Sequence, residues 1–295
     1  MNEMKFLFCL FDGLRRDFVR ADTMPNLYSF QNDWVDYPNS SSTFPSETRV
    51  QVSSFVTGAY CGGSIPHSPG QPEFGHGIMA NSFYDPLLGF DGPLDTSDIV
   101  KMEQAKAIYG NLQKSPSLAE ILWEVEKNYS VITTGKIGNA RLLNLNQKLF
   151  SIWGAGISSL TADYGGIIKK FGPVPKQRFP NNAVSQYATT VLLEHFLLDG
   201  SADVQVIWYN EPDLSFHYEG IGSPSSLSSL KCLDQCFEKI LKWWETSGRL
   251  KGWHIITCSD HAQISKIKQV NVIDELKIAG FKAGLAINDD IDVAV

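Results

Sequence analysis

The sequence contains no run of about 18 to 20 apolar residues of the kind that crosses a bilayer. Its five cysteines are odd in number and scattered, which argues against a disulfide framework. Positive charge is scarce as well, with 25 Lys and Arg against 32 Asp and Glu, so we do not expect a general binder of nucleic-acid duplexes. One early lysine and the short apolar run at residues 6–11 fall short of a secretory signal. We therefore predict a cytoplasmic protein with no membrane contact.

Apolar residues, by contrast, make up 43% of the 295 positions, which is enough for a substantial core. Short apolar runs alternate with segments of helical period. The strand candidates are residues 6–11, 130–134, 149–153, 204–209 and 253–258, and the helix candidates are residues 117–127, 182–198 and 226–244. This alternation predicts an α/β fold with a mainly parallel central sheet and helices on both faces.

The whole chain, residues 1–295, is expected to form a single α/β catalytic domain. Residues 58–76 are rich in Gly, Pro and Ser and predict a long loop insertion. The last residues, 291–295, form an apolar, strand-like run without a turn signal. This ending favours a domain whose C-terminal portion is incomplete in the chain.

Polar side chains follow three of the predicted strands. Asp12 follows the first strand, Asp213 follows the strand at 204–209, and Asp260 and His261 follow the strand at 253–258. Because the carboxyl ends of parallel strands share one edge of a sheet, these side chains are expected to lie close together.

This set of residue types is typical of a metal site. Asp213 and His217 are four residues apart, so on one helical turn both point the same way. Mixed Asp and His ligands suit zinc, and manganese or iron less selectively. Taken singly, each pair is also explained by an ordinary turn or helix cap. Their joint placement after parallel strands favours the metal site, and two ions about 4 Å apart suit in-line displacement at phosphorus.

A candidate nucleophile lies before the helical run that begins at Thr48. A hydroxyl near a helix start, such as that of Thr43, lies beside free backbone N–H groups that bind phosphate. The competing interpretation is an ordinary helix cap by Ser42 or Thr43. The Gly-x-Ser-x-Gly motif is missing, which disfavours a serine hydrolase.

Taken together, these residues resemble the alkaline phosphatase superfamily and, within it, the nucleotide pyrophosphatase/phosphodiesterase branch. The similar segments follow the family's order over residues 6–261. They are Phe11-Asp12-Gly13, Met24-Pro25-Asn26-Leu27, Thr43-Phe44-Pro45, Val56-Thr57-Gly58, His76-Gly77-Ile78 with Asn81, Glu211-Pro212-Asp213 with His217, and Ser259-Asp260-His261.

The resemblance implies two zinc ions. One ion would be held by Asp12, Asp260 and His261, and would also bind the nucleophile Thr43. The other ion would be held by Asp213 and His217.

The same resemblance implies a reaction through a covalent phospho-threonine. Thr43 would attack phosphorus, and Asn81 and the amide of Phe44 would donate hydrogen bonds to a phosphate oxygen. The implied partner is a small-molecule phosphate ester, with nucleotides among the candidates.

Two alternatives stay open. The family has one more histidine ligand for the second metal, and no histidine follows His261 here, so a non-catalytic binding relative is one alternative. The other is a phosphonate or phosphomonoester hydrolase with the same site, in which additional basic side chains would bind a terminal dianion.

Overall fold

The computed structural model describes residues 4–62, 75–145, 151–154, 164–285 and 290–294. Its helices and strands, in chain order, are β1 (Lys5–Phe11), α1 (Pro25–Asp33), α2 (Thr48–Thr57), β2 (Ser82–Phe83), β3 (Leu94–Asp95), α3 (Ile99–Tyr109), α4 (Leu118–Glu124), β4 (Tyr129–Thr133), α5 (Ile137–Leu143), β5 (Ser151–Gly154), α6 (Tyr164–Phe171), α7 (Asn182–Val191), α8 (Leu197–Asp199), β6 (Val204–Tyr209), α9 (Asp213–Glu219), α10 (Pro224–Trp243), β7 (Trp253–Cys258), α11 (Val272–Ile278), β8 (Ala283–Gly284) and β9 (Val293–Ala294).

The central sheet has five strands in the order β5-β4-β6-β1-β7. Every neighbouring pair in it is parallel. The predicted α/β fold with a parallel central sheet is therefore confirmed. Positions 149–150 of the predicted third strand lie outside the described residues.

The central strands are apolar throughout because both faces of the sheet are covered. Along β1, Leu7, Cys9 and Phe11 belong to one buried cluster, together with α7 and α10. Leu10 belongs to the opposite cluster, against which Phe8 also packs. This alternation follows from the two-residue period of a strand, and burial on both faces produces the continuous apolar pattern.

The predicted helices form, but two of them change pitch near their ends. The helix predicted over 182–198 is α7, then a π-helical turn at Leu192–Phe196, then α8. The helix predicted over 226–244 is α10, followed by a π-helical turn at Trp244–Gly248. A shorter helix, α4, begins at a capping box formed by Ser117 and Glu120.

The loop predicted at 58–76 lies mostly outside the described residues, at positions 63–74. Its two ends pair, since the N–H of His76 donates to the carbonyl of Tyr60 and that of Gly77 to Cys61, each at 2.8 Å. The chain then forms the small antiparallel pair of β2 and β3. This return path brings the segment before β2 to the beginning of α2.

None of the helices within the described ranges is long and apolar enough to cross a membrane. The cytoplasmic location and the single-domain organisation stay predictions.

Candidate active site

Three neighbouring strands, β6, β1 and β7, deliver carboxylates to one edge of the sheet. Asp12 directly follows β1, Asp213 begins α9 after β6, and Asp260 follows β7. Backbone hydrogen bonds hold two of these segments together: Asp12 N–H donates to the carbonyl of Tyr209 at 3.0 Å, and Asp213 N–H donates to the carbonyl of Asp12 at 2.9 Å. The ends of these three strands therefore lie together, as the sequence predicts.

Gly13 allows this close approach. Its φ is +70°, and its N–H donates to Oδ1 of Asp260 at 3.0 Å. A Cβ added here would lie 2.9 Å from Cβ of Asp213. Only glycine gives both the left-handed backbone and the room for Asp213.

His261 brings an imidazole into the carboxylate cluster. Its Nε2 lies 3.6 Å from Oδ1 of Asp12, 3.4 Å from Oδ2 of Asp260 and 4.0 Å from Oδ1 of Asp213. One ligand atom from each of Asp12, Asp213 and His261 lies within 4.8 Å of the others. These residues form a candidate metal site.

Buried carboxylate oxygens without a hydrogen-bond partner indicate whether the cluster can accommodate a cation. Oδ1 of Asp12 and Oδ2 of Asp260 are buried, and neither has a hydrogen-bond partner among the described residues. Burial raises the pKa of Asp12, and the charges of Asp260 and Asp213 raise it further. Burial also raises the pKa of Asp260. A divalent cation would give both unpaired oxygens a partner, so the donor set fits a metal ion.

His217 lies at the outer side of this cluster. It is four residues after Asp213 on α9, and its Nε2 is 3.4 Å from Oδ1 of Asp213. The side chain is 64% exposed, so it faces solvent beside the buried carboxylates. The structure therefore brings the predicted pair together, with Asp213 between His217 and His261.

The side chain of Thr43 packs against α2, on which it has two hydrogen-bond partners. Its hydroxyl bonds with Oε1 of Gln51 at 3.0 Å and Oγ of Ser54 at 3.3 Å. Ser54 is six residues after the first residue of α2, which is about 9 Å along the helix axis. The hydrogen bonds and ion pairs within the described chain include none between Thr43 and Asp12 or His261.

Thr48 is the hydroxyl that meets the cluster. It is the first residue of α2, and its Oγ1 lies 3.1 Å from Nε2 of His261. Sequence reasoning did not single out Thr48, because it considered only the hydroxyls before the helical run, whereas Glu47 is the residue that precedes the helix. The available signal was the helical pattern itself, which begins at Thr48.

Asn81 and Arg49 lie beside this helix start. The N–H of Arg49 donates to Oδ1 of Asn81 at 3.2 Å, and the N–H of Asn81 donates to Oε2 of Glu47 at 2.6 Å. Asn81 therefore lies next to Thr48. A residue that contacts a phosphoryl group bound at the start of α2 would occupy this position. Arg49 is another residue that sequence reasoning missed, and its signal was a basic residue next to the helix start.

The chain is similar in fold to two solved enzymes. One is murine ectonucleotide pyrophosphatase/phosphodiesterase 5, solved as an inactive threonine-to-alanine variant with AMP. The two structures align with a TM-score of 0.63 at 19% sequence identity, and the alignment covers 92% of this chain and 61% of the murine chain. The other is phosphonoacetate hydrolase from Sinorhizobium meliloti with phosphonoformate, at 18% identity and TM-score 0.60, covering 94% and 62%. The chain thus spans less than two thirds of each.

Sequence comparison gives the family. A segment of 78 residues is 36% identical to an uncharacterised pyrophosphatase/phosphodiesterase of Schizosaccharomyces pombe, covering 26% of this chain and 14% of the yeast protein. The sequence profile of type I phosphodiesterase/nucleotide pyrophosphatase matches residues 6–282. The resemblance stated from the motifs is confirmed, and the chain belongs to the type I phosphodiesterase/nucleotide pyrophosphatase family.

Proposed function

We propose that the protein is a metal-dependent hydrolase that cleaves a phosphoester or pyrophosphate bond of a small molecule. The observation that carries this proposal is the convergence of Asp12, Asp213 and His261 beside the hydroxyl of Thr48. Acidic and imidazole ligands next to a hydroxyl at a helix start are suited to phosphoryl transfer. Family membership supports the same class of reaction.

The proposed metal ligands follow the grouping expected from the sequence. Asp12, Asp260 and His261 would hold one ion, and Asp213 and His217 would contribute to a second. Zinc is the proposed metal because it accepts both carboxylate and imidazole ligands. When bound, such an ion would favour ionisation of a nearby hydroxyl and stabilise negative charge on phosphoryl oxygens.

The proposed nucleophile is Thr48 in place of Thr43. Its hydroxyl oxygen would form a bond to phosphorus while the bond to the leaving oxygen breaks, and its proton would pass to solvent. The leaving oxygen would take a proton from water. A water molecule would then add its oxygen to phosphorus as the threonine–phosphorus bond breaks, which restores the Thr48 hydroxyl and releases the phosphoryl product.

Asn81 is proposed to position the phosphoryl group. Its carbonyl oxygen accepts the N–H of Arg49, which leaves its side-chain NH₂ group as the donor toward a phosphoryl oxygen. The helix start at Thr48 adds the positive end of the α2 dipole. Both features would stabilise charge that develops on the attacked group.

The proposed substrates are small phosphate esters, nucleotides included. The murine relative was solved with AMP and the bacterial one with phosphonoformate, so both bind small anionic phosphorus compounds.

Zinc-loaded and chelator-treated protein should be compared on the mono- and bis-nitrophenyl esters of phosphate. We expect release of nitrophenol only with metal present and close to two zinc ions per active chain. Hydrolysis by thoroughly metal-free protein would refute the proposal. A single bound zinc with no hydrolysis of either ester would favour the non-catalytic relative.

A further inference from the structure

The indole of Trp208 contacts the candidate metal site from inside the core. Trp208 lies in β6 and is fully buried, and its Nε1–H donates to Oδ2 of Asp12 at 3.3 Å. Asp12 directly follows β1, the neighbouring strand. The indole N–H is a donor only, so it can bond with a carboxylate oxygen but cannot ligate a metal ion. Trp208 can therefore act on a bound ion only through Asp12.

This hydrogen bond gives the two oxygens of Asp12 different environments. Oδ2 accepts the indole N–H, whereas Oδ1 is buried and has no hydrogen-bond partner among the described residues. Oδ1 also lies 3.6 Å from Nε2 of His261, which is another proposed ligand. A donor on one oxygen of a carboxylate leaves the other oxygen to bind the metal. Oδ1 is therefore the oxygen of Asp12 that is available to the ion.

Asp260 has the same arrangement, with backbone donors. Its Oδ1 accepts the N–H of Gly13 at 3.0 Å and that of His261 at 2.9 Å. Its Oδ2 is buried without a partner in the described part of the chain, and it lies 3.4 Å from Nε2 of His261. Each buried carboxylate thus has donors on one oxygen and presents the other to the same imidazole. Asp260 is held by the backbone, whereas Asp12 is held by a side chain that can be replaced.

The ring of Trp208 is itself held in place. It packs edge to face against Phe55 of α2, with the ring centroids 6.2 Å apart. Its backbone is paired with Leu10 of β1 on one side and with Thr133 of β4 on the other. A ring that is fixed by packing points its N–H in one direction, so the carboxylate that accepts this N–H is fixed as well.

We propose that Trp208 is a positioning residue for the metal site, whose indole N–H holds Oδ2 of Asp12 so that Oδ1 binds the ion. Loss of such a hydrogen bond to a metal ligand costs about 10- to 100-fold in metal affinity. The inference rests on the proposed function, because it requires the ion that Asp12, Asp260 and His261 would hold. It adds a residue that determines how tightly this ion is bound.

The test measures the zinc affinity of Trp208→Phe by competition with a chelator of known affinity. Phenylalanine keeps an aromatic ring but has no N–H, so zinc affinity should fall about 10- to 100-fold. Trp244→Phe is the matched control. Trp244 is also buried, and its Nε1 donates to the carbonyl of Trp253, which begins β7 at the end opposite Asp260. This control loses a similar hydrogen bond and a similar volume, and it should keep the zinc affinity of the parent. Melting temperatures of the metal-free proteins measure the lost packing separately.

The indole N–H also provides a readout that a purely structural role would not change. In parent protein with isotope-labelled tryptophan, zinc should shift the NMR signal of the Trp208 Nε1–H. That signal is identified by its through-space contact with the ring of Phe55. The indole signal of Trp244 should stay in place. This measurement needs no variant, so it tests the inference even if Trp208→Phe does not fold.

The inference is overturned if Trp208→Phe binds zinc as tightly as the parent, if Trp244→Phe loses as much affinity, or if zinc leaves the Trp208 signal unmoved. Failure of the proposed function looks different. A parent protein that binds zinc but hydrolyses neither nitrophenyl ester would refute the function, while the affinity difference between parent and Trp208→Phe would still support the role of Trp208. A parent protein that binds no zinc would refute both.

Discussion

The hydroxyl oxygen of Thr48 lies 3.1 Å from Nε2 of His261, although 213 positions separate the two residues in the chain. Helix α2 begins at Thr48, and His261 follows β7, so the contact joins a helix start to the carboxyl edge of the sheet. This one contact places a hydroxyl at the positive end of a helix dipole directly beside a carboxylate–imidazole cluster.

Replacing Thr48 by Ala should lower turnover at least about a thousandfold, equivalent to about 4 kcal/mol in the barrier, because the proposed reacting oxygen is removed. Thr48→Ser should keep part of the activity. Thr43→Ala is the matched control: it loses hydrogen bonds to Gln51 and Ser54, worth about 1 kcal/mol each in stability, and should keep near-normal turnover. Steady-state rates with nitrophenyl esters check this. Loss of activity in Thr43→Ala with retention in Thr48→Ala would return the assignment to Thr43.

Replacing Asp12 by Asn should separate stability from metal binding. Without metal the variant should be no less stable than the parent, because an unpaired buried carboxylate becomes neutral. Zinc at 100 times its dissociation constant should raise the unfolding free energy of the parent by about 2.7 kcal/mol, and this gain should largely vanish in the variant. Thermal melts with and without zinc measure both effects. Asp22→Asn, at a side chain that is 74% exposed, serves as the control. Equal zinc-induced shifts in parent and Asp12→Asn would count against the ligand assignment.

Gly13→Ala should weaken metal binding and destabilise the fold. The new Cβ would lie 2.9 Å from Cβ of Asp213, and the backbone φ is +70°. Gly58 has a similar φ of +66° but no atom within 4 Å of an added Cβ, so Gly58→Ala isolates the backbone strain of about 1 kcal/mol. We expect Gly13→Ala to be more destabilising than Gly58→Ala and to lower zinc affinity, as measured by denaturant unfolding and zinc titration. Equal effects of the two substitutions would mean that close packing against Asp213 has no energetic consequence.

His76 should make stability depend on pH below neutrality. It is fully buried, and burial lowers its pKa to about 4. Its Nδ1 accepts the N–H of Ile78 at 3.1 Å, so in the neutral ring Nε2 carries the proton and donates to Ser54. Since the unfolded chain takes up this proton near pH 6.5, stability should be complete above that pH and fall as the pH drops toward 4, by at most on the order of 3 kcal/mol.

Urea unfolding between pH 4 and pH 7.5 measures this dependence. His76→Gln, which cannot take up the proton, should show a flatter profile over the same range. If the free energy of unfolding depended on pH identically in the parent and the variant, the pKa of His76 would not differ between the folded and unfolded states.

Much of this architecture can be predicted from the sequence, because strands of a parallel sheet that is buried on both faces consist of continuous apolar residues. The strands before Asp12, Asp213 and Asp260 are such runs, and the edge at which they end follows from their being parallel. The contact between Thr48 and His261 was harder to predict, since it joins residues far apart in the chain and Pro45 lies near the helix start without beginning the helix. The environment of Arg49 depends on Asp12, which follows β1, and on Asp95 in β3, and no local sequence pattern connects them with α2.

The most direct measurement is the site of phosphorylation in the covalent intermediate. Zinc-loaded protein is mixed with p-nitrophenyl phosphate, quenched in acid, digested and sequenced by tandem mass spectrometry, with fragments that separate Thr43 from Thr48. We predict phosphate on Thr48, and none in Thr48→Ala. Phosphate on Thr43, or rapid turnover with no phosphorylated threonine, would contradict the claim that the Thr48 hydroxyl beside His261 is the reacting group.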